Sequence, residues 1–134
     1  MDNLIAQGLA NKMIVVMPYA NAVPEMQNRK VKGDFNVLGT DNFVKEIIND
    51  VIPFIEKNYK TKTDADNRAI AGFSLGGRQT LATGFGNPDV FHWVAAFAPA
   101  IFGGEWEKNF ETGVYADVNV LKEKLKYMRL CCGT

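Results

Sequence analysis

One short run limits what this chain can fold into more than any other feature of its sequence. Residues 72–76 read GFSLG, which matches the pattern G-x-S-x-G. Residues 68–73, RAIAGF, have the pattern of a strand and precede the serine. A helical pattern extends from Leu75 to about Phe85. A serine between a strand and a helix in this pattern lies on a sharp turn. The sequence therefore predicts a strand, a tight turn at Ser74 and a helix, in that order.

Such a turn has a chemical consequence for the serine. It strains the backbone and pushes the Ser74 hydroxyl out at the carboxyl edge of a sheet, where it is free to act as a nucleophile. Small residues are expected two positions before and two positions after the serine, because the strand and the helix approach closely. The Leu75 N–H lies in the first turn of the helix and can donate to an oxyanion. Ser74 is the predicted nucleophile and Leu75 the predicted oxyanion donor.

Two other structures are compatible with the motif. It could be an ordinary glycine-rich turn with a capping serine, or a turn that binds phosphate. A phosphate-binding loop would place a Lys-Ser or Lys-Thr pair after its glycines, whereas residues 78–80 here are Arg-Gln-Thr. The nucleophile interpretation is therefore favoured.

The rest of the chain alternates between short apolar runs and helical periods. Further strands are predicted at 13–17, 93–98 and 127–132, with the run MIVVM at 13–17 buried on both faces. Helical patterns end near residue 9, extend from Asp41 to Ile55 with a bend at Pro53, and return near 117–126. Strands separated by helices predict an α/β fold with a parallel sheet and helices on both faces. Residues 1–134 are interpreted as part of a single domain.

Composition excludes several classes of function. Lysine plus arginine and aspartate plus glutamate each number 15, so there is no basic surface for nucleic acid. No apolar run approaches the ~20 residues of a membrane span, and the first residues lack a signal-peptide pattern. The adjacent Cys131 and Cys132 are expected to be packed core atoms, without metal-ligand or disulfide spacing. No metal and no cofactor is predicted.

Four stretches of the sequence carry a resemblance to a known family. Residues 13–18, 68–77, 87–91 and 130–134 resemble the esterase D superfamily, and within it the carbohydrate esterase family 1 feruloyl and acetyl xylan esterases found beside xylanase domains. The resemblance implies a parallel-sheet α/β-hydrolase fold and no cofactor. It implies an acyl-enzyme on Ser74 and an ester substrate on acylated plant cell-wall polysaccharide. It also implies a secreted or periplasmic parent protein.

The sequence does not supply a base for Ser74 in an obvious place. His92 is the one histidine. It precedes the predicted strand at 93–98, whereas Ser74 follows the previous strand, so the two should lie at opposite edges of a parallel sheet. The resemblance places the acid and the histidine beyond Thr134, and earlier strands with the second oxyanion donor before Met1. We therefore expect the central part of an esterase domain, truncated at both ends, inactive alone and prone to self-association through its sheet edges.

Substrate contacts are predicted only in outline. Tyr19, Phe102 and Trp106 follow predicted strands at the carboxyl edge, where ligands bind in such sheets, although packing roles are commoner for each. The acidic residues nearby are expected to be solvated; they are Glu105, Glu107 and Asp117. Two alternatives stay open: a non-catalytic fragment or pseudo-enzyme, and an acyltransferase of the same superfamily.

Overall fold

The fold is built on a sheet of three parallel strands. The computed structural model describes residues 2–20, 40–102 and 104–133. The strands are β1 (Ala69–Phe73), β2 (Trp93–Phe97) and β3 (Tyr127–Cys131), hydrogen-bonded in the order β1-β2-β3. Their last residues, Phe73, Phe97 and Cys131, are aligned with one another. We call the edge where these residues lie the carboxyl edge, and the opposite one the amino edge. Three of the four predicted strands and their parallel direction are confirmed.

Except for α5, which lies in a stretch where no helix was predicted, the helices lie where the apolar periodicity predicted them. They are α1 (Asp2–Ala6), α2 (Thr40–Glu46), α3 (Ile52–Asn58), α4 (Leu75–Gly86), α5 (Glu105–Glu111) and α6 (Val118–Lys124). A π-helical turn, Ile47–Val51, joins α2 to α3, and a short 3-10 helix, Ala65–Asn67, precedes β1. The single long helical period that begins at Asp41 is therefore confirmed.

Pro53 disturbs this long helix in a specific way. Proline has no N–H to continue the ladder, and its ring crowds the preceding turn. In the structure the Ile52 N–H donates to the carbonyl of Ile47, five residues back, just before Pro53. The irregularity predicted at Pro53 is therefore a π-helical turn, and the apolar face of the helix continues through it.

One face of the sheet carries the hydrophobic core. The side chains of Val94 and Ala96 from β2 are buried under Leu81 and Phe85 of α4. Ile70 of β1 contacts this cluster and also a second one, formed by Phe43, Ile47 and Phe91. Because Ile70 and Val94 point to the same side of the sheet, α4 and the α2–α3 helix cover the same face.

The other face of the sheet carries exposed aromatic side chains. Phe73 is 72% exposed, Trp93 and Phe97 are 40% exposed, and Tyr127 is 44% exposed. The prediction of helices on both faces is therefore wrong for the residues that the structure describes. The reason is topological. The chain moves from β1 to β2 to β3 in one direction, and right-handed crossovers in one direction place their helices on the same face.

The predicted strand at 13–17 is also wrong for this structure. The segment has no strand assignment, and its side chains range from 42% exposed at Val16 to 88% at Met17. An apolar run becomes a strand only when a neighbour pairs with its backbone groups, and none of the described residues does so.

The two cysteines do not lie in the core, contrary to prediction. Both are free thiols, Cys131 partly buried and Cys132 exposed. Cys131 is the last residue of β3 and Cys132 follows it. Among the described residues, β3 is an edge strand that pairs with β2 alone, so its end is less covered than a central strand would be.

None of the described helices is long and apolar enough to cross a membrane.

Candidate active site

Ser74 adopts the strained backbone that the motif predicted. Its φ of 56° and ψ of −115° lie in a region that side-chain-bearing residues rarely occupy, at a cost of roughly 1–3 kcal/mol. Backbone hydrogen bonds hold the turn in place. The Ser74 N–H donates to the Phe97 carbonyl at 2.9 Å, and the Ser74 carbonyl accepts from Ala100 at 3.0 Å and from Arg78 at 3.1 Å. The residue itself is exposed, and its hydroxyl caps no helix amide.

Two glycines allow the close approach at this turn, and they are not the predicted pair. A Cβ on Gly72 would lie 2.1 Å from the Gly76 carbonyl oxygen, so the predicted requirement for a small residue there is confirmed. A Cβ on Gly76 would meet no heavy atom within 4 Å, so the predicted steric requirement at that position is wrong. The second requirement falls on Gly77, where a Cβ would lie 2.9 Å from the Cα of Pro99.

The first turn of α4 presents unpaired donors beside the serine. The N–H groups of Leu75, Gly76 and Gly77 precede the first intrahelical bond and have no acceptor among the described residues. They stand directly after the Ser74 turn, at the positive end of the helix dipole. This arrangement can stabilise negative charge next to the Ser74 oxygen. The role of Leu75 as oxyanion donor remains a prediction.

His92 lies at the amino edge, as the strand order predicted. The residue after it, Trp93, pairs with Ala69 at the start of β1, whereas Ser74 follows the end of β1. The five residues of that strand span about 16 Å. His92 Nδ1 lies 2.5 Å from a carboxylate oxygen of Asp66, so the imidazole is held away from Ser74.

Asp66 connects this histidine to the rest of the amino edge. Its second oxygen lies 2.6 Å from the Nζ of Lys126, and its carbonyl accepts from the indole of Trp93 at 2.8 Å. The hydrogen bonds from Lys126 and, second, from His92 lower the pKa of Asp66 below its ordinary value. Asp66, His92 and Lys126 therefore form a hydrogen-bonded connection between the starts of β1, β2 and β3.

The acidic residues predicted to be solvated differ from one another. Glu105 forms a bidentate ion pair with Arg78, with N–O distances of 2.7 and 2.5 Å, so the prediction for Glu105 is wrong. Asp117 accepts from the N–H of Asn119 at 2.8 Å and caps α6, while remaining exposed. Glu107 is exposed, as predicted.

The three candidate aromatic contacts lie in different environments. Phe102 is 44% exposed, and the Arg78 guanidinium lies 5.8 Å from its ring centroid. Tyr19 is 67% exposed, and the carbonyl of the next residue, Ala20, accepts from the buried Gln79 of α4 at 2.6 Å. Phe102 and Tyr19 thus lie in segments that contact the first two turns of α4.

Trp106 has a packing role instead. Its ring makes edge contacts with the core rings of Phe85, Phe110 and Tyr115 at centroid distances of 5.9, 5.6 and 5.8 Å. The structure therefore favours packing over substrate contact for Trp106.

Arg78 was not among the predicted site residues. It lies one turn after Ser74 in α4, and it contacts both Glu105 and Phe102.

The fold and the serine turn define a class of protein. A nucleophile-type turn at the carboxyl edge of a parallel sheet is the arrangement of the α/β-hydrolase fold. Two structures of a carbohydrate esterase family 1 ferulic acid esterase from Anaeromyces mucronatus have this fold. One contains ferulic acid and the other has no substrate. They match with TM-scores of 0.66 and 0.67 at 24% identity, over 98% of this chain and 62% and 61% of theirs. An enterobactin esterase from Shigella flexneri matches at a TM-score of 0.50 and 16% identity, over 69% of this chain and 33% of its own.

The sequence comparison then gives the family. Residues 1–128 match the family model described as "Putative esterase", and the chain belongs to this esterase family. A relative from Xylanibacter ruminicola, an endo-1,4-beta-xylanase/feruloyl esterase, is 39% identical over 94 residues. That match covers 69% of this chain and 12% of the relative. The resemblance to carbohydrate esterase family 1 is confirmed, over a part of each matched protein.

Proposed function

We propose that Ser74 is the nucleophile of a carboxylic ester hydrolase that releases aromatic acyl groups, such as ferulate, from plant cell-wall polysaccharide. The observation that carries this proposal is the strained, exposed Ser74 beside three helix amides that have no acceptor among the described residues. The activities for which the relatives are named, feruloyl esterase and ferulic acid esterase, support the feruloyl type over the acetyl type.

The chemistry follows from this geometry. The Ser74 oxygen attacks the acyl carbonyl carbon, a base takes its proton, and the carbonyl electrons move to the oxygen. The Leu75 N–H donates to that oxyanion, a contact that lowers the barrier by about 3 kcal/mol in comparable sites. The tetrahedral intermediate then collapses: the sugar oxygen leaves with the proton that the base held, and the acyl group stays on Ser74. Water then attacks this ester and releases the carboxylate.

The base is not His92 under this proposal. His92 is the one histidine of the 134 residues, and it is held by Asp66 at the other edge of the sheet. We therefore propose that residues outside this sequence supply the base and its acid, and that the 134 residues alone do not turn over esters. The position of His92 also favours the alternative of a non-catalytic fragment, in which the 134-residue chain by itself only folds or binds.

Three proteins assayed side by side test the proposal: the 134-residue chain, the product of the complete coding sequence, and its Ser74→Ala variant. Hydrolysis of methyl ferulate and 4-nitrophenyl acetate is expected from the complete product only. Ser74→Ala should lower turnover by a factor on the order of a million. Acyl transfer to an added sugar without release of ferulate would indicate the acyltransferase instead. Ser74-dependent turnover by the 134-residue chain would show that its residues contain a base.

A further inference from the structure

Arg78 links three segments around the serine turn. Its guanidinium forms the bidentate pair with Glu105 at the start of α5, and its Nε donates to the hydroxyl of Thr40 at 3.3 Å. The Arg78 side chain is 12% exposed and that of Glu105 is 25% exposed. An arginine at this depth, with all three of its nitrogens engaged, holds a fixed geometry.

The first residues of the loop that connects β2 to α5 contact the serine turn. Ala98 has a φ of 40°, a strained value for a residue with a side chain. The strain is compensated by contacts of the two residues that follow: Ala100 donates to the Ser74 carbonyl at 3.0 Å, and Pro99 packs on Gly77. The backbone up to residue 101 is therefore oriented by the turn itself.

The next residue, Phe102, contacts both Arg78 and Glu105. The Phe102 N–H lies 3.4 Å from a carboxylate oxygen of Glu105, and the Phe102 ring faces the Arg78 guanidinium at 5.8 Å. The ring keeps 44% of its surface exposed, so it is placed without being buried. An exposed aromatic ring that is fixed by a charged pair one turn from a nucleophile can contact a flat acyl group.

We propose that Arg78 and Glu105 are positioning residues, which hold Phe102 as one wall of the site for an aromatic acyl group. The proposal rests on the proposed function, because it assigns the acyl selectivity of the same serine. The pair does not touch the reacting atoms. Its effect reaches the substrate through Phe102, and it selects aromatic acyl groups over small ones.

The test compares two esters with the same leaving group, methyl ferulate and methyl acetate, on the product of the complete coding sequence. Arg78→Gln and Glu105→Gln should each raise KM for methyl ferulate roughly tenfold, and leave KM for methyl acetate within about twofold. Phe102→Ala should do the same. The double variant Arg78→Gln with Phe102→Ala should match Phe102→Ala alone, because Arg78 acts through the ring.

Arg68→Gln is the matched control. Arg68 forms a comparable ion pair with Glu56 at the amino edge, with side chains 19% and 29% exposed. This variant should leave the ratio of the two KM values unchanged. Equal losses on both esters in Arg78→Gln, or additive effects in the double variant, would overturn the positioning role.

A binding measurement separates this proposal from the proposed function. Ferulic acid is titrated into the Ser74→Ala protein, with and without Phe102→Ala or Arg78→Gln, by calorimetry. Each of these second changes should weaken binding roughly tenfold. Unchanged ferulic acid binding would overturn the positioning role even if ester hydrolysis is found. Absence of Ser74-dependent hydrolysis, with weakened binding in these variants, would overturn the proposed reaction and leave the positioning role supported.

Discussion

The two edges of the sheet differ in how their polar groups are hydrogen-bonded. At the carboxyl edge, Ser74 is strained and exposed, and the helix amides beside it are unpaired among the described residues. At the amino edge, His92 and Asp66 are bound to one another, and Asp66 also binds Lys126. Polar groups with unused hydrogen-bonding capacity can bind and react, whereas paired groups hold strands together. The comparison indicates that the one histidine has a structural role.

The largest expected effect comes from the glycines of the serine turn. Gly72→Ala places a Cβ against the backbone of Gly76 and should destabilise the fold by more than about 3 kcal/mol, because backbone atoms cannot move aside. Gly76→Ala is the matched control, since its Cβ meets open space in α4, and it should be neutral or stabilising by up to about 1 kcal/mol. Denaturant unfolding of both variants measures this. Equal losses in the two would contradict the described turn.

The next effect concerns the uncovered face of the sheet. Exposed aromatic rings on a flat face favour association, so the 134-residue chain should show a mass that rises with concentration in sedimentation experiments. Phe97→Lys should shift this association to roughly tenfold higher concentrations. Tyr59→Lys, which also replaces an exposed aromatic ring but lies at the end of α3, should not. A monomer at all concentrations, or equal effects of both changes, would speak against this prediction.

The smallest effect is the pH dependence of the amino edge. The pKa of Asp66 is lowered in the folded state, so its contribution to stability is fully present above its ordinary value of 3.8 and is lost as the pH falls through the lower folded value. Asp66→Asn should therefore reduce the loss of unfolding free energy between about pH 6 and about pH 3. Asp89→Asn removes a more exposed carboxylate, which is paired with Lys124, and should change this difference less. If Asp66→Asn loses as much unfolding free energy on acidification as the unchanged protein, the predicted contribution of Asp66 is wrong.

The sequence predicted the parts of this fold that depend on local chemistry. The serine turn follows from a short run of residues between a strand and a helix, and the helix from Thr40 onward follows from its apolar period. The position of His92 followed from strand order alone. These features need no knowledge of distant contacts.

The parts that the sequence could not predict depend on contacts between distant residues. The ion pair of Arg78 and Glu105 joins residues 27 positions apart, and no local pattern indicates it. The run at 13–17 has the composition of a buried strand, but its pairing depends on a neighbour that composition does not reveal. Similarly, the steric role of Gly77 depends on Pro99, which belongs to another loop.

The most direct test of the account is to compare Ser74→Ala with His92→Gln in the product of the complete coding sequence. Turnover of methyl ferulate is measured together with the denaturant midpoint of each variant. The account predicts that Ser74→Ala abolishes turnover, whereas His92→Gln keeps kcat within about twofold and loses only some stability, because His92 serves the amino edge. A folded His92→Gln protein as inactive as Ser74→Ala would contradict the assignment of the two edges.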